Sequence, residues 1–179
     1  MLPVLLPGMI GGATGGPQGE PSDSQLRAAF LFRFGQYASW PKGSDGASAT
    51  APFVIGVFAD PALLKEMARL VAGRMIEGRT VSVRAVDQVE DQEGLAVLFL
   101  GTDDPLLIGR AIRVARARGI LTVGYTDGFA ERGGMINFFH EDAKLRFEVN
   151  VDATANAGLR LSSQLLRLAR LVKSQGGEP

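Results

Sequence analysis

Residues 94–125 read GLAVLFLGTDDPLLIGRAIRVARARGILTVGY, and the fold is decided here. Gly94–Leu100 is apolar without interruption, which predicts a strand covered on both faces. Asp103-Asp104-Pro105 then offers capping carboxylates followed by a first-turn proline. In the helix that follows, Leu107, Ile108, Ala111, Ile112 and Ala115 share an inward face, while Arg110 and Arg113 turn to solvent. Gly119 stops that helix, and Ile120–Tyr125 returns as a second apolar strand. Buried strand, crossover helix and buried strand predict an α/β unit.

The same pattern recurs upstream. Phe53–Ala59 (FVIGVFA) predicts another buried strand, and Asp60-Pro61 opens a helix with Leu64, Met67, Ala68 and Val71 inward. Gly73 ends it, and Thr80–Val86 predicts the next strand, completing a right-handed βαβ unit. Asp23–Trp40 is periodic as a helix, with Leu26, Ala29, Phe30, Phe34 and Tyr37 on one stripe and Phe32 off it. Ser22 or Ser24 can cap it, and Trp40-Pro41 ends it because the residue before proline leaves the α region. Lys42–Thr50, rich in Gly and Ser, predicts a flexible surface loop.

Downstream, Gly128–Gly134 predicts a loop leading into an antiparallel pair, Met135–His140 with Leu145–Asn150, joined through Glu141–Lys144. Along the second strand Leu145, Phe147 and Val149 point one way, Arg146, Glu148 and Asn150 the other. Leucines at 159, 161, 165, 166, 168 and 171 predict a long last helix over Ala153–Val172. The expected class is α/β: a layered sandwich whose mixed, mostly parallel sheet carries helices on both faces, then the antiparallel pair and that long helix. One domain is expected over residues 22–173. Residues 1–21, beginning MLPVLLPGMI and continuing in Gly and Pro, read as a disordered leader or signal-peptide remnant, and 174–179 as a disordered tail.

The 179 residues carry nineteen basic and nineteen acidic side chains and no cysteine. Zero net charge weighs against a nucleic-acid partner, and the missing thiols exclude disulfides and cysteine-ligated metals. No nucleotide-binding glycine pattern follows either buried strand. Gly133-Gly134 reads as a strand entry rather than an anion nest, and the lone His140 beside Glu141 and Asp142 as a polar strand end rather than a metal site. Ser162-Ser163 falls inside the expected last helix and reads as a small-residue packing point. Asp60, Asp103, Asp104 and Asp127 could bring carboxylates to strand ends, but capping accounts for three of the four. Arg146 and Glu148, with Asn137 opposite, read first as a cross-strand ion pair. No catalytic residue, cofactor or metal is expected.

Residues 121–170, LTVGYTDGFAERGGMINFFHEDAKLRFEVNVDATANAGLRLSSQLLRLAR, resemble the YfiR family of small exported proteins. The resemblance rests on Leu121–Val123, Gly128-Phe129, Gly133–Phe138, Arg146–Asn150, Ala157–Leu159 and Ser162–Ala169. Phe34, Tyr37 and Trp40-Pro41 and the strand at Phe53–Val57 extend it across residues 24–172. It implies a periplasmic, non-catalytic regulator that represses a membrane-bound diguanylate cyclase by binding its periplasmic part. It marks Phe34, Tyr37, Trp40, Phe129, Gly133, Gly134, Asn137, Arg146, Glu148, Asn150, Ser162 and Ser163 as candidate interaction or structural residues. The alternative is a small-ligand-binding sensory domain without an obligatory protein partner. A homodimer is also expected, built on apolar surface of the terminal helices.

Overall fold

The computed structural model describes residues 19–175. The expected leader therefore lies outside the described residues up to position 18, and the expected tail from 176 onward. In chain order the elements are α1 (Asp23–Tyr37), β1 (Ala38–Ser39), β2 (Phe53–Phe58), α2 (Pro61–Val71), β3 (Met75–Ile76), β4 (Arg79–Val86), β5 (Leu95–Leu100) and α3 (Pro105–Arg118). There follow β6 (Leu121–Gly124), β7 (Ile136–Glu141), β8 (Lys144–Asn150), α4 (Val151–Asn156), β9 (Arg160–Leu161), α5 (Ser163–Leu166) and β10 (Arg170–Val172).

Eight strands form one sheet in the order β10-β8-β7-β6-β5-β2-β4-β3. It is mixed but mostly parallel, with β7–β8 and β3–β4 as its antiparallel pairs, and it curls as a half-barrel. The central strands are apolar throughout because both faces are covered. Ala96, Val97 and Phe99 of β5 pack with α1 and α2, and Leu95, Leu98 and Leu100 pack with α3. The alternation slips by one between Ala96 and Val97, where the β2–β5 register shifts.

Caps fall where the Asp-Pro pairs place them. Asp60 accepts from the Leu63 amide at 2.9 Å, and Asp104 from Leu106 and Leu107 at 2.8 and 3.3 Å. Gly119 closes α3 at φ 66° in the left-handed region. The α3 face is as the periodicity predicts, with Ile108, Ala111 and Ala115 buried and Arg110 and Arg113 exposed. On α1 the buried face is instead Ala28, Leu31, Phe32, Phe34 and Gly35, and Ala29 is exposed. On α2 it is Leu63, Met67 and Val71, and Ala68 is exposed. Helix α1 also stops at Tyr37, so that Ala38-Ser39 can pair with Leu161-Arg160.

The expected long last helix is not there. Asn150 caps α4 and Gly158 (φ 76°) follows its end, so the chain runs on as β9; Ser162 then caps the short α5, and Arg170–Val172 joins the sheet edge parallel to β8. Ser162-Ser163 is thus a helix start and not a mid-helix packing point. The leucines expected on one helix are divided: Leu159 and Leu165 are buried, whereas Leu168 and Leu171 are exposed.

The loop at 42–50 is held in place. Arg79 is buried and donates to the carbonyls of Asp45, Gly46, Ala51 and Pro52 at 2.6–3.2 Å. Phe32 is covered within the chain as well, by the Arg74 guanidinium 5.3 Å from its ring centre.

Candidate functional site

Most of the marked residues build the frame. Phe129 is fully buried between glycines: a Cβ on Gly134 would lie 2.1 Å from its ring, and one on Gly124 would lie 2.8 Å away. The amides of Gly133 and Gly134 donate to Ala130 and Phe129 at 3.1 and 2.9 Å, leaving neither free to cradle an anion. Trp40 donates its indole N–H to the Ala96 carbonyl at 2.9 Å and stands edge-on to Phe53, and Gly46 leaves room for its ring. Pro41 seats against Gly119 and Gly158. Phe34 joins Phe30, Phe138 and Phe147 in an aromatic cluster with ring centres 5.1–6.0 Å apart.

The strand Lys144–Asn150 corrects the expected ion pair. Arg146 is exposed and bridges to Glu141 at 3.1 Å, not to Glu148. Glu148 is buried, receives a hydrogen bond from Asn137 at 3.1 Å, and is held by Arg170 of β10, whose Nε lies 3.0 Å away. Two residues apart on one strand, Arg146 and Glu148 share a face, but β10 pairs alongside only the second and sets Arg170 beside it. The Asn137↔Glu148 juxtaposition is present as expected. Arg170 also lies over the Phe139 ring at 3.9 Å.

Asn150 is a junction. Its amide donates to the Ala130 carbonyl at 2.7 Å and to the Ser174 hydroxyl at 2.8 Å, and its side-chain oxygen caps α4 through Ala153 at 2.9 Å. One side chain thereby ties the glycine loop, the short helix and the chain beyond β10.

Two concave surfaces border the cluster of Phe30, Phe34, Phe138 and Phe147. The first, 180 Å³, is a mostly apolar groove between α1, β8 and α5, lined by Phe30, Arg33, Tyr37, Phe147, Leu165 and Leu168. Leu168 in its lining is 71% exposed, and Leu171 on β10 is 56% exposed, a degree that large apolar side chains on this protein rarely reach. Of the marked residues only Tyr37 reaches this groove directly; Phe34, Ser162 and Ser163 support its walls. The second, 200 Å³, opens beyond the carboxyl end of β6 and is lined by Arg27, Tyr125, Asp127, Phe138, Phe139 and His140. Arg27 stacks on Tyr125 at 4.9 Å and reaches Asp23 and Asp60 at 3.5 and 3.8 Å, while its buried Nε has no partner. His140 sits 3.0 Å from Asp23.

Sequence reasoning missed Arg79, Arg27 and Arg170. Arg79 and Arg170 act only through residues far along the chain, and Arg27 reaches Asp60 and Tyr125 as well as its helix neighbour Asp23, so local spacing announces little of this.

Among the described residues no group of three or more His, Cys, Asp or Glu side chains could hold a metal ion. Asp60 and Asp104 act as helix caps. Compared with known proteins, residues 24–170 match the model of a family described as YfiR/HmsC-like. No curated protein matches the chain.

Proposed function

The chain belongs to the YfiR/HmsC-like family, and from that premise we propose that it is a non-catalytic periplasmic regulator that binds a membrane signalling protein. The partner is the periplasmic part of a diguanylate cyclase, and binding represses it. The observation that carries this reading is the apolar groove lined by Tyr37 and the exposed Leu168, with Leu171 also exposed on β10. Exposed apolar surface next to a formed groove is what a protein interface uses. Titrating the protein against the purified periplasmic part of a membrane cyclase encoded beside its gene tests it. Saturable binding, with cyclic-di-GMP rising when the gene is deleted, is expected. Absence of both would remove the reading.

The same groove is where a homodimer would form, since the long last helix that was to carry one does not exist. Sedimentation equilibrium should then give twice the chain mass of 19.0 kDa, and a monomer at high micromolar concentration would exclude it. Export is read out by fractionating cells that express the native frame, with mature protein expected in the periplasm.

A specific observation favours the small-ligand alternative as a second reading. The cavity beyond β6 combines aromatic walls with an arginine whose buried Nε lacks a partner. A metabolite that protects the isolated protein against thermal unfolding, with protection lost in Arg27→Met, would support it.

A further inference from the structure

Helix α3 carries an uneven share of the charge. Its sequence, PLLIGRAIRVARAR, has four arginines and no acidic residue. The whole chain has nineteen of each sign, so α3 is four positive and everything else is four negative. Arg110, Arg113, Arg116 and Arg118 are all exposed. Arg110 is paired with Glu90, whereas among the described residues Arg113, Arg116 and Arg118 make no ion pair. Lys42 joins Arg116 and Arg118 around a cleft of 380 Å³ at the C-terminal end of the helix. The one carboxylate there, Asp45, accepts the Gly94 amide at 2.9 Å.

The helix dipole accounts for cations in the last turn, but not for Arg110 and Arg113 along the middle of the outer face. At helical spacing Leu106, Arg110, Arg113 and Ala117 form the centre of that face, with Arg116 and Arg118 on its flanks. Its length is about 21 Å. Leu106, at 76% exposure, is its one large apolar group and stands at one end. A protein interface centres on anchors, most often Trp, Tyr or Arg, that fit a well-packed pocket. Here the centre is arginine, and from Leu106 to Arg113 the outer face lines none of the clefts described above, the 380 Å³ cleft meeting only its last turn. That shape suits a plane of phosphates.

The geometry points to the outer face of α3 as a docking surface for an anionic phospholipid membrane. It lies on the opposite side of the sheet from α1 and α2, so a membrane on α3 leaves the apolar groove open. The inference concerns a different surface from the groove and does not depend on which protein partner the groove takes.

The test is co-sedimentation of the full chain with vesicles of phosphatidylcholine, with and without about one third phosphatidylglycerol, in low-salt and physiological-salt buffer. Binding to the anionic vesicles alone, weakening with salt, is expected. Replacing Arg113, Arg116 and Arg118 together by Glu should lower partitioning by about a hundredfold or more, at roughly fivefold per arginine neutralised and more for reversal. Arg33→Glu, Lys65→Glu and Arg69→Glu on α1 and α2 change the net charge equally and should keep most of the binding. If circular dichroism shows that the α3 reversal does not fold, the three Gln substitutions replace it. Failure of the native chain to bind anionic vesicles at low salt would overturn the inference. So would equal loss in both variants, or binding to polyglutamate without binding to vesicles, which would make the partner an acidic protein.

Discussion

Two buried charges stand next to the two edges of the sheet, and they are answered differently. Arg79 lies on β4 beside the edge strand β3, and Glu148 lies on β8 beside the edge strand β10. Arg79 gives its guanidinium to four backbone carbonyls of one loop and lies 5.3 Å from the Phe53 ring centre. Burial pulls its pKa below the usual arginine value, with Glu77 partly offsetting that, and the group is nonetheless held charged by its acceptors. Glu148 relies on Asn137 and on Arg170, whose side chain is 54% exposed. Carbonyls fixed by the fold cannot leave. A half-solvated arginine on a three-residue edge strand can. The contrast separates an edge that is locked from an edge that can open, and the apolar groove and exposed leucines lie at the second.

The contrast breaks most visibly at Arg79. Arg79→Met removes all four guanidinium hydrogen bonds to the loop at 45–52, and stability should fall by about 3 kcal/mol. Urea unfolding measures this, and Arg79→Lys should recover only a minor part, because one ammonium cannot span carbonyls from both ends of the loop. A loss below about 1 kcal/mol would show that the loop holds itself. Glu148→Gln is the matching change at the other edge. It keeps the contact to Asn137 and weakens the charge-assisted bond to Arg170, so the expected loss is smaller, about 1–2 kcal/mol. Hydrogen exchange should quicken first at Arg170–Val172 while the amides of β2 and β5 stay protected. Uniform quickening would mean that the β10 edge is no more labile than the rest. Partner affinity per folded molecule should be unchanged, because Glu148 is covered.

The two edges also differ in how well they can be read in advance. From Phe53 to Tyr125 the sequence states its structure locally: unbroken apolar runs, Asp-Pro caps and Gly119 each act within a few residues. Arg79 is the exception there, because its acceptors lie 27–34 positions away. Beyond Asn150 the leucine spacing suggested one helix, yet the chain breaks twice. The signals were present in Asn150 and Ser162 as caps and Gly158 as a stop, and they outweigh periodicity because each satisfies or releases backbone groups at a fixed place. Ala38-Ser39 needs that break, since β9 is its only strand partner among the described residues. The burial of Glu148 and Asn150 was not legible, because the alternation that made their face polar says nothing of a later strand pairing beside it and bringing Arg170 to Glu148 and Ser174 to Asn150. The roles of the candidate residues were not legible: only Tyr37 lines the groove, and most of the others hold the frame through contacts that no local spacing announces.

The smallest expected change in stability belongs to the exposed leucines, and it is the one that isolates function. Leu168 and Leu171 have little to lose on folding, because at 71% and 56% exposure they bury only a minor part of their apolar area. Replacing both by Ser should therefore alter the unfolding free energy by no more than about 0.5 kcal/mol. Binding is another matter. Covering two leucines at an interface is worth about 1.5–3 kcal/mol each if the burial is complete, so affinity for a partner seated on the groove should drop at least tenfold. A double variant that melts normally but no longer binds would place the interface on the labile edge. A variant that melts normally and binds normally would move the interface away from β10 and leave its exposed leucines without a role in recognition. If self-association and partner binding are lost together, the two share the groove. If the chain still pairs with itself, the dimer must form on another face.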